Sequence, residues 1–213
     1  MAGLLRYRAV ARLYDVISAE PVYRVGRRLG IAQLELAPGD VVVDVGCGTG
    51  LSFPEVLARI GPAGRLLGID ASAAMLTRAR RRVDVQGWTN VDLLEADLTT
   101  VSADAVIDRL GGPASAVLAS YSLSLMPAWP TAWAVMKDVA GPGGRLAVVD
   151  MQPPVGVPAP LRWLATLVCL LGGSDLHARP WTAVESDCQQ VTSASARGGH
   201  LQIRSGQVVR SDD

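Results

Sequence analysis

The chain has 213 residues, 20 acidic and 20 basic side chains, and 49% hydrophobic residues. Its length suits one domain with a sizeable buried core, and its zero net charge provides no basic footprint for nucleic acid. Three cysteines, Cys47, Cys169 and Cys188, with no CxxC or Cys/His ligand spacing, argue against a disulfide framework or a structural zinc.

Arg6, Arg8 and Arg12 break any apolar run near the start, so a signal peptide is not expected there. Strands are predicted at 41–45 (VVVDV), 65–69 (RLLGI), 91–95 (VDLLE), 115–120 (SAVLAS) and 145–149 (RLAVV). The first, fourth and fifth are almost wholly apolar, as strands covered on both faces are. Helices are predicted between them, at about 52–60, 72–84, 102–110 and 131–140. The second has a capping serine, Ser72, and an apolar stripe of Met75, Leu76, Ala79 and Val83. The last ends at the stop signal GPGG, 141–144. Such alternation predicts an α/β, doubly wound, mostly parallel sheet with helices on both faces. MQPPVGVPAP, 151–160, carries four prolines and reads as an irregular connection. Residues 187–197 and 199–204 read as two extended segments around Gly198 and Gly199, and a short turn between strands makes them antiparallel.

VVVDVGCGTGLS, 41–52, places Gly46, Gly48 and Gly50 where the first strand stops. A tight turn alone would account for them. A ligand resting on the turn also would, because glycine admits positive φ and close backbone approach. The following helix start then offers free N–H groups to an anion. Asp70 ends the second strand, where a carboxylate can accept from both hydroxyls of a ribose. Together they predict a nucleoside ligand. Here the glycines read GxGxG rather than the dinucleotide GxGxxG.

The blocks VVVDVGCGTG, GIDAS, EADLT, SAVLASYSLSLMP and GPGGRLAVVD, in that order over 41–150, resemble the class I S-adenosylmethionine (SAM) methyltransferases. GGHLQIRSGQVV and YDVISAEPVYRVGRR are similar to small members of the ubiquinone/menaquinone-biosynthesis group. This resemblance implies a seven-stranded sheet in the order 3-2-1-4-5-7-6 with strand 7 antiparallel, and SAM as cofactor. It assigns the methionine end of SAM to Asp44, Gly46, Cys47 and Gly48, and the ribose to Asp70. The adenine amino group falls to Asp97 and the adenine walls to Ala71, Met75 and Leu98, while Ser120 and Tyr121 approach the sulfonium. A helix cap is the competing role for Asp97, and core packing the competing one for Met75. A single domain, 1–213, is expected, with 1–30 an N-terminal helical lid and 151–185 an addition on the substrate side.

Methyl transfer needs alignment of the acceptor more than a strong base. The weak catalytic candidates are Tyr14, His177 and His200; Cys47 reads as a small filler. No metal constellation is visible. In 151–185, Trp163, Leu164, Leu167, Leu170, Leu171 and Trp181 form core, line an oily cavity or rest on lipid. The expected partner is a small or lipid-like apolar acceptor, with peripheral membrane contact as a further use of that stretch, in a cytoplasmic protein. A SAM-binding regulatory protein without turnover is the rival reading.

Overall fold

The computed structural model describes residues 20–153, 175 and 178–209. Tyr14, His177 and the apolar run Leu161–Leu171 lie outside the described residues, as do most of the expected lid and substrate-side addition.

Seven strands form one sheet: β1 (Val41–Val45), β2 (Arg65–Asp70), β3 (Val91–Glu95), β4 (Ala116–Ser120), β5 (Arg145–Met151), β6 (Cys188–Ala196) and β7 (Leu201–Val208). Their order is β3-β2-β1-β4-β5-β7-β6. The first five run parallel, and β7 runs antiparallel to both β5 and β6. This is the expected topology.

Six helices complete the description: α1 (Glu20–Gln33), α2 (Phe53–Ile60), α3 (Ala73–Gln86), α4 (Ala103–Leu110), α5 (Trp129–Ala140) and α6 (Thr182–Asp187). Side chains alternate across a strand, so neighbouring residues enter different cores. Val42, Leu66, Leu118 and Val149 pack with Ile31 of α1, Phe53 of α2 and Leu76 of α3. Val43, Leu67, Val117 and Val148 pack with Val106 of α4, Met136 of α5 and Val184 of α6. Burying each such side chain contributes about 1.5–3 kcal/mol.

Helices α2 and α3 therefore cover one face, and α4 and α5 the other. The winding reverses between β1 and β4, which are paired neighbours. A crevice opens at that reversal, beyond the carboxyl ends of the strands. Residues 20–30, the part of the expected lid within view, lie in α1. There Gly26 and Gly30 let the helix approach Tyr121 and Val149 so closely that a Cβ would stand 2.1 Å from the Tyr121 hydroxyl and 2.3 Å from a Val149 methyl.

The caps settle one competing role. Ser102, not Asp97, caps α4, accepting from Ala105 N. Asp97 instead bonds the Thr99 N–H (2.8 Å) and hydroxyl (2.7 Å), closing its own turn.

Candidate functional site: a cleft at the sheet reversal

All three glycines of the β1–α2 turn have positive φ: Gly46 +63°, Gly48 +56° and Gly50 +75°. Two are also pinned by neighbours. A Cβ at Gly46 would come 2.4 Å from Ser122 Cβ, and one at Gly50 would come 2.6 Å from the Phe53 ring. At Gly48 an added Cβ would meet nothing within 4 Å. The turn is tight because of Gly46 and Gly50, and open only at Gly48.

Asp70 organises this turn. Its carboxylate accepts the Gly48 N–H and the Ser72 N–H, both at 2.8 Å. One side chain thus joins the glycine turn to the start of α3. Each oxygen has a further lone pair to offer. Burial raises the Asp70 pKa, and the two N–H donors oppose that rise.

A cleft of about 410 Å³ opens beside these groups. Gly46, Asp70, Ala71, Asp97 and Leu98 line it from the ends of β1, β2 and β3. The opposite wall is the segment after β4, with Ser122, Leu125, Met126 and Pro127. Ser122 is anchored by donating its hydroxyl to Val45 O at 2.8 Å. Asp97 is exposed, and its bonds to the Thr99 hydroxyl and N–H hold its pKa below the usual carboxylate range. A depression of about 680 Å³ between α4, α5 and the end of β7 shares no lining residue with the cleft. It contains none of the residues expected to hold the cofactor.

The remaining expected site residues lie elsewhere. Met75 is buried in the first turn of α3 and does not line the cleft. Ser120 and Tyr121 also stay out of the lining. Tyr121, at φ +56°, donates its hydroxyl to Tyr23 O at 2.8 Å and meets the Tyr23 ring edge-on at 5.0 Å. It faces α1, and Ser122 takes the place at the cleft that the sequence reading gave to Ser120 and Tyr121. The positive φ after β4 turns Tyr121 aside, and no residue pattern announces it. Cys47 is buried against β2, where a Cβ on Gly68 would come 2.9 Å from its sulfur. Burial raises its thiol pKa far above neutrality, so it is an inert filler.

Asp44 is 1% exposed, and neither carboxylate oxygen has a hydrogen-bond partner. Burial raises its pKa to about 7. The Ser52 hydroxyl and the Arg27 guanidinium oppose that shift, but Ser52 does not reach hydrogen-bond geometry. Arg27 comes from α1 and is itself 7% exposed. No sequence signal links it to the turn, because the two charges come near each other only once α1 has docked.

A group with a raised folded pKa contributes stability below its unfolded pKa and loses it as pH rises through the folded value. For Asp44 that window runs from about pH 4 to about pH 7. Each pKa unit corresponds to about 1.4 kcal/mol. Thermal stability is therefore expected to fall between about pH 4 and about pH 7, and Asp44→Asn to flatten that fall. Melting curves across this range check it; equal slopes in the two proteins would show that Asp44 is ionised throughout.

His200 stands at the turn into β7 and is 7% exposed. Its Nδ1 is in hydrogen-bond contact with Gln152 O. A carbonyl can only accept, so Nδ1 carries the proton. Burial lowers the imidazole pKa, which keeps the ring neutral. Its ring centroid lies 6.1 Å from that of Tyr23. Among the described residues, no group of three His, Cys, Asp or Glu side chains could hold a metal ion, and no helix is long and apolar enough to cross a membrane.

A reversed parallel sheet, a glycine turn at the reversal and an acid at the end of the next strand define the class I, Rossmann-like methyltransferase domain. Residues 42–144, just under half of the chain, match the family described as methyltransferase domain. The chain is 31% identical over 134 residues to aklanonic acid methyltransferase DauC of Streptomyces sp. (strain C5), covering 63% of the chain and 58% of that protein. It is 28% identical over 151 residues to 2-phytyl-1,4-naphtoquinone methyltransferase of Thermosynechococcus vestitus (strain NIES-2133 / IAM M-273 / BP-1), covering 70% and 64%. The match thus spans less than two thirds of either relative. Among solved structures, a SAM-dependent methyltransferase from Aquifex aeolicus superposes with a TM-score of 0.58 at 18% identity, covering 86% of this chain and 89% of that one.

Proposed function

We propose that the protein transfers a methyl group from SAM to a small or lipid-like apolar acceptor. The observation that carries this reading is the Asp70 carboxylate, bonded to the Gly48 N–H while lining the cleft. The site fits the cofactor on three counts. Asp70 keeps acceptor capacity for ribose hydroxyls. Asp97 and Leu98 line the same cleft for the adenine. Asp44 is a buried carboxylate without a hydrogen-bond partner, suited to the ammonium of an amino-acid tail beside the open backbone of Gly48. The cofactor supplies a methyl carbon already activated by a sulfonium. The chain's own residues bind the donor, orient it and exclude water.

The acceptor class rests on the names of the relatives, aklanonic acid and 2-phytyl-1,4-naphtoquinone, the second a quinone with a long hydrocarbon tail. It agrees with the apolar composition of 161–171. His200 has the protonation state a general base needs, with Nε2 free of a proton. Its ring neighbour Tyr23, on α1, meets Tyr121, the residue that follows β4. A labelled-methyl assay with naphthoquinol and polycyclic phenol acceptors tests the activity. Label that appears in no acceptor, from protein that binds SAM, would support a binding protein without turnover.

Asp44 makes the binding proton-linked. Its pKa of about 7 in the free protein drops when a cationic ammonium arrives, because an opposite charge favours the ionised form. S-adenosylhomocysteine binding is therefore expected to release a fraction of a proton near neutral pH and to weaken as pH falls from 8 to 6. Titration calorimetry in buffers of different ionisation enthalpy measures the release. No release, or the same release from Asp44→Asn, would take the ammonium away from Asp44.

A further inference from the structure

Asp150, the penultimate residue of β5, is a second buried carboxylate that the proposed chemistry does not use. It has no exposed surface and accepts three hydrogen bonds. Ser124 donates its N–H at 3.0 Å and its hydroxyl at 2.7 Å, and Met151 donates its N–H at 2.9 Å. Ser124, 3% exposed, is the middle residue of the 3-10 turn Leu123–Leu125. Its carbonyl accepts from Asp175 N at 2.9 Å. The residues on either side of it, Ser122, Leu125 and Met126, form the far wall of the cleft.

Within itself this wall is weakly built. Its turn is closed by Leu125 N to Ser122 O (3.1 Å) and Met126 N to Leu123 O (2.9 Å). A short 3-10 turn has poor hydrogen-bond geometry and little stability of its own. External anchors decide where it stands. Ser122 supplies one, on Val45 O; the Asp150 carboxylate supplies two.

We propose that Asp150 is a positioning residue of the cofactor cleft: through Ser124 it sets how far the 122–128 wall stands from the wall formed by Asp70 and Leu98. This rests on the reading that the cleft takes the nucleoside of SAM. Asp150 touches neither donor nor acceptor. It acts by holding Ser124, and Ser124 in turn receives the backbone of Asp175 from the segment that returns to β6.

An asparagine cannot replace it. One oxygen serves Ser124 Oγ and Met151 N, the other serves Ser124 N. In either orientation of the amide, its NH2 would confront a backbone N–H. The test uses Asp150→Asn, the milder Ser124→Ala and their combination, with S-adenosylhomocysteine as the probe. Asp187→Asn is the control. Its carboxylate accepts from Trp133 and Lys137 on the α5–α6 side, so the change removes stability without touching the cleft.

Well below the melting temperatures, Asp150→Asn is expected to weaken probe binding about tenfold or more and Ser124→Ala about threefold, as buried bonds to a charged group would. The double variant should be no weaker than Asp150→Asn, because the two act through one contact. Without ligand, hydrogen exchange of the 124–126 amides should quicken in both single variants. Asp187→Asn should lower the melting temperature and change neither reading. Wild-type affinity and wild-type exchange in folded Asp150→Asn and Ser124→Ala would overturn the proposal alone. Wild-type protein that ignores the probe at millimolar concentration would overturn the cofactor reading, and this one with it.

Discussion

Gly48→Val is expected to fold and to lose S-adenosylhomocysteine binding by about 100-fold or more, because binding at this turn needs bare backbone. The geometry separates the two effects. A Cβ at Gly48 meets no protein atom within 4 Å, whereas one at Gly46 strikes Ser122 and one at Gly50 strikes Phe53. The folding cost at Gly48 is therefore mainly that of holding a branched residue at φ +56°, about 1–2 kcal/mol or somewhat more. In a chain of this size that lowers the melting temperature by roughly 2–8 °C. Binding suffers far more, because the new side chain fills the open space beside the turn that bare backbone leaves to a ligand. Calorimetry on the folded variant decides it: affinity within about tenfold of wild type would remove the ligand from the turn. Gly46→Ala provides the contrast, since its clash with Ser122 acts on the fold.

Asp70→Ala should weaken the same probe by about 2–4 kcal/mol, roughly 30- to 1000-fold. The structure gives this residue two duties. It offers acceptors to a ribose, and it holds the glycine turn through Gly48 N while joining it to α3 through Ser72 N. Alanine removes the ligand contact and leaves two N–H groups to water. Asp70→Asn, which keeps one acceptor oxygen, should fall between. Affinity within about threefold of wild type for Asp70→Ala would reject the ribose assignment. Intermediate loss with a disordered 46–50 turn would assign Asp70 to the turn alone.

Much of the architecture was legible from residues. Short apolar strands at 41–45, 115–120 and 145–149 announced a sheet covered on both faces, and the structure buries them so. The antiparallel tail was also readable, because Gly198 and Gly199 separate two extended segments, now β6 and β7. Helix α6 escaped notice: at six residues it is too short for a periodic stripe.

The site was legible in part. Gly46, Asp70, Ala71, Asp97 and Leu98 come together at one cleft because each sits at or just beyond a strand's carboxyl end. Sequence distance along a parallel sheet maps onto those ends with little ambiguity. Met75 was assigned to the adenine by its place after Ser72, yet the same stripe that makes α3 amphipathic turns it into the interior. Tyr121 stays out of the cleft lining for a backbone reason. Its positive φ aims the ring at Tyr23 of α1 and leaves the wall to Ser122, Leu125 and Met126.

What the amino-acid order determined by itself is whatever depends on local spacing: strands and helices, the glycine turn, the acid one strand later, and hence the kind of ligand such a crevice suits. Tertiary structure alone decided which groups face one another across large gaps in the chain. The Arg27 charge acts on Asp44 only because α1 docks over the sheet through Gly26 and Gly30. Asp150 meets Ser124 only because β5 lies beside β4. Those contacts, and the carboxyl pKa values they and burial produce, arise from packing and desolvation, which are properties of the assembled core and leave no periodic trace in the sequence.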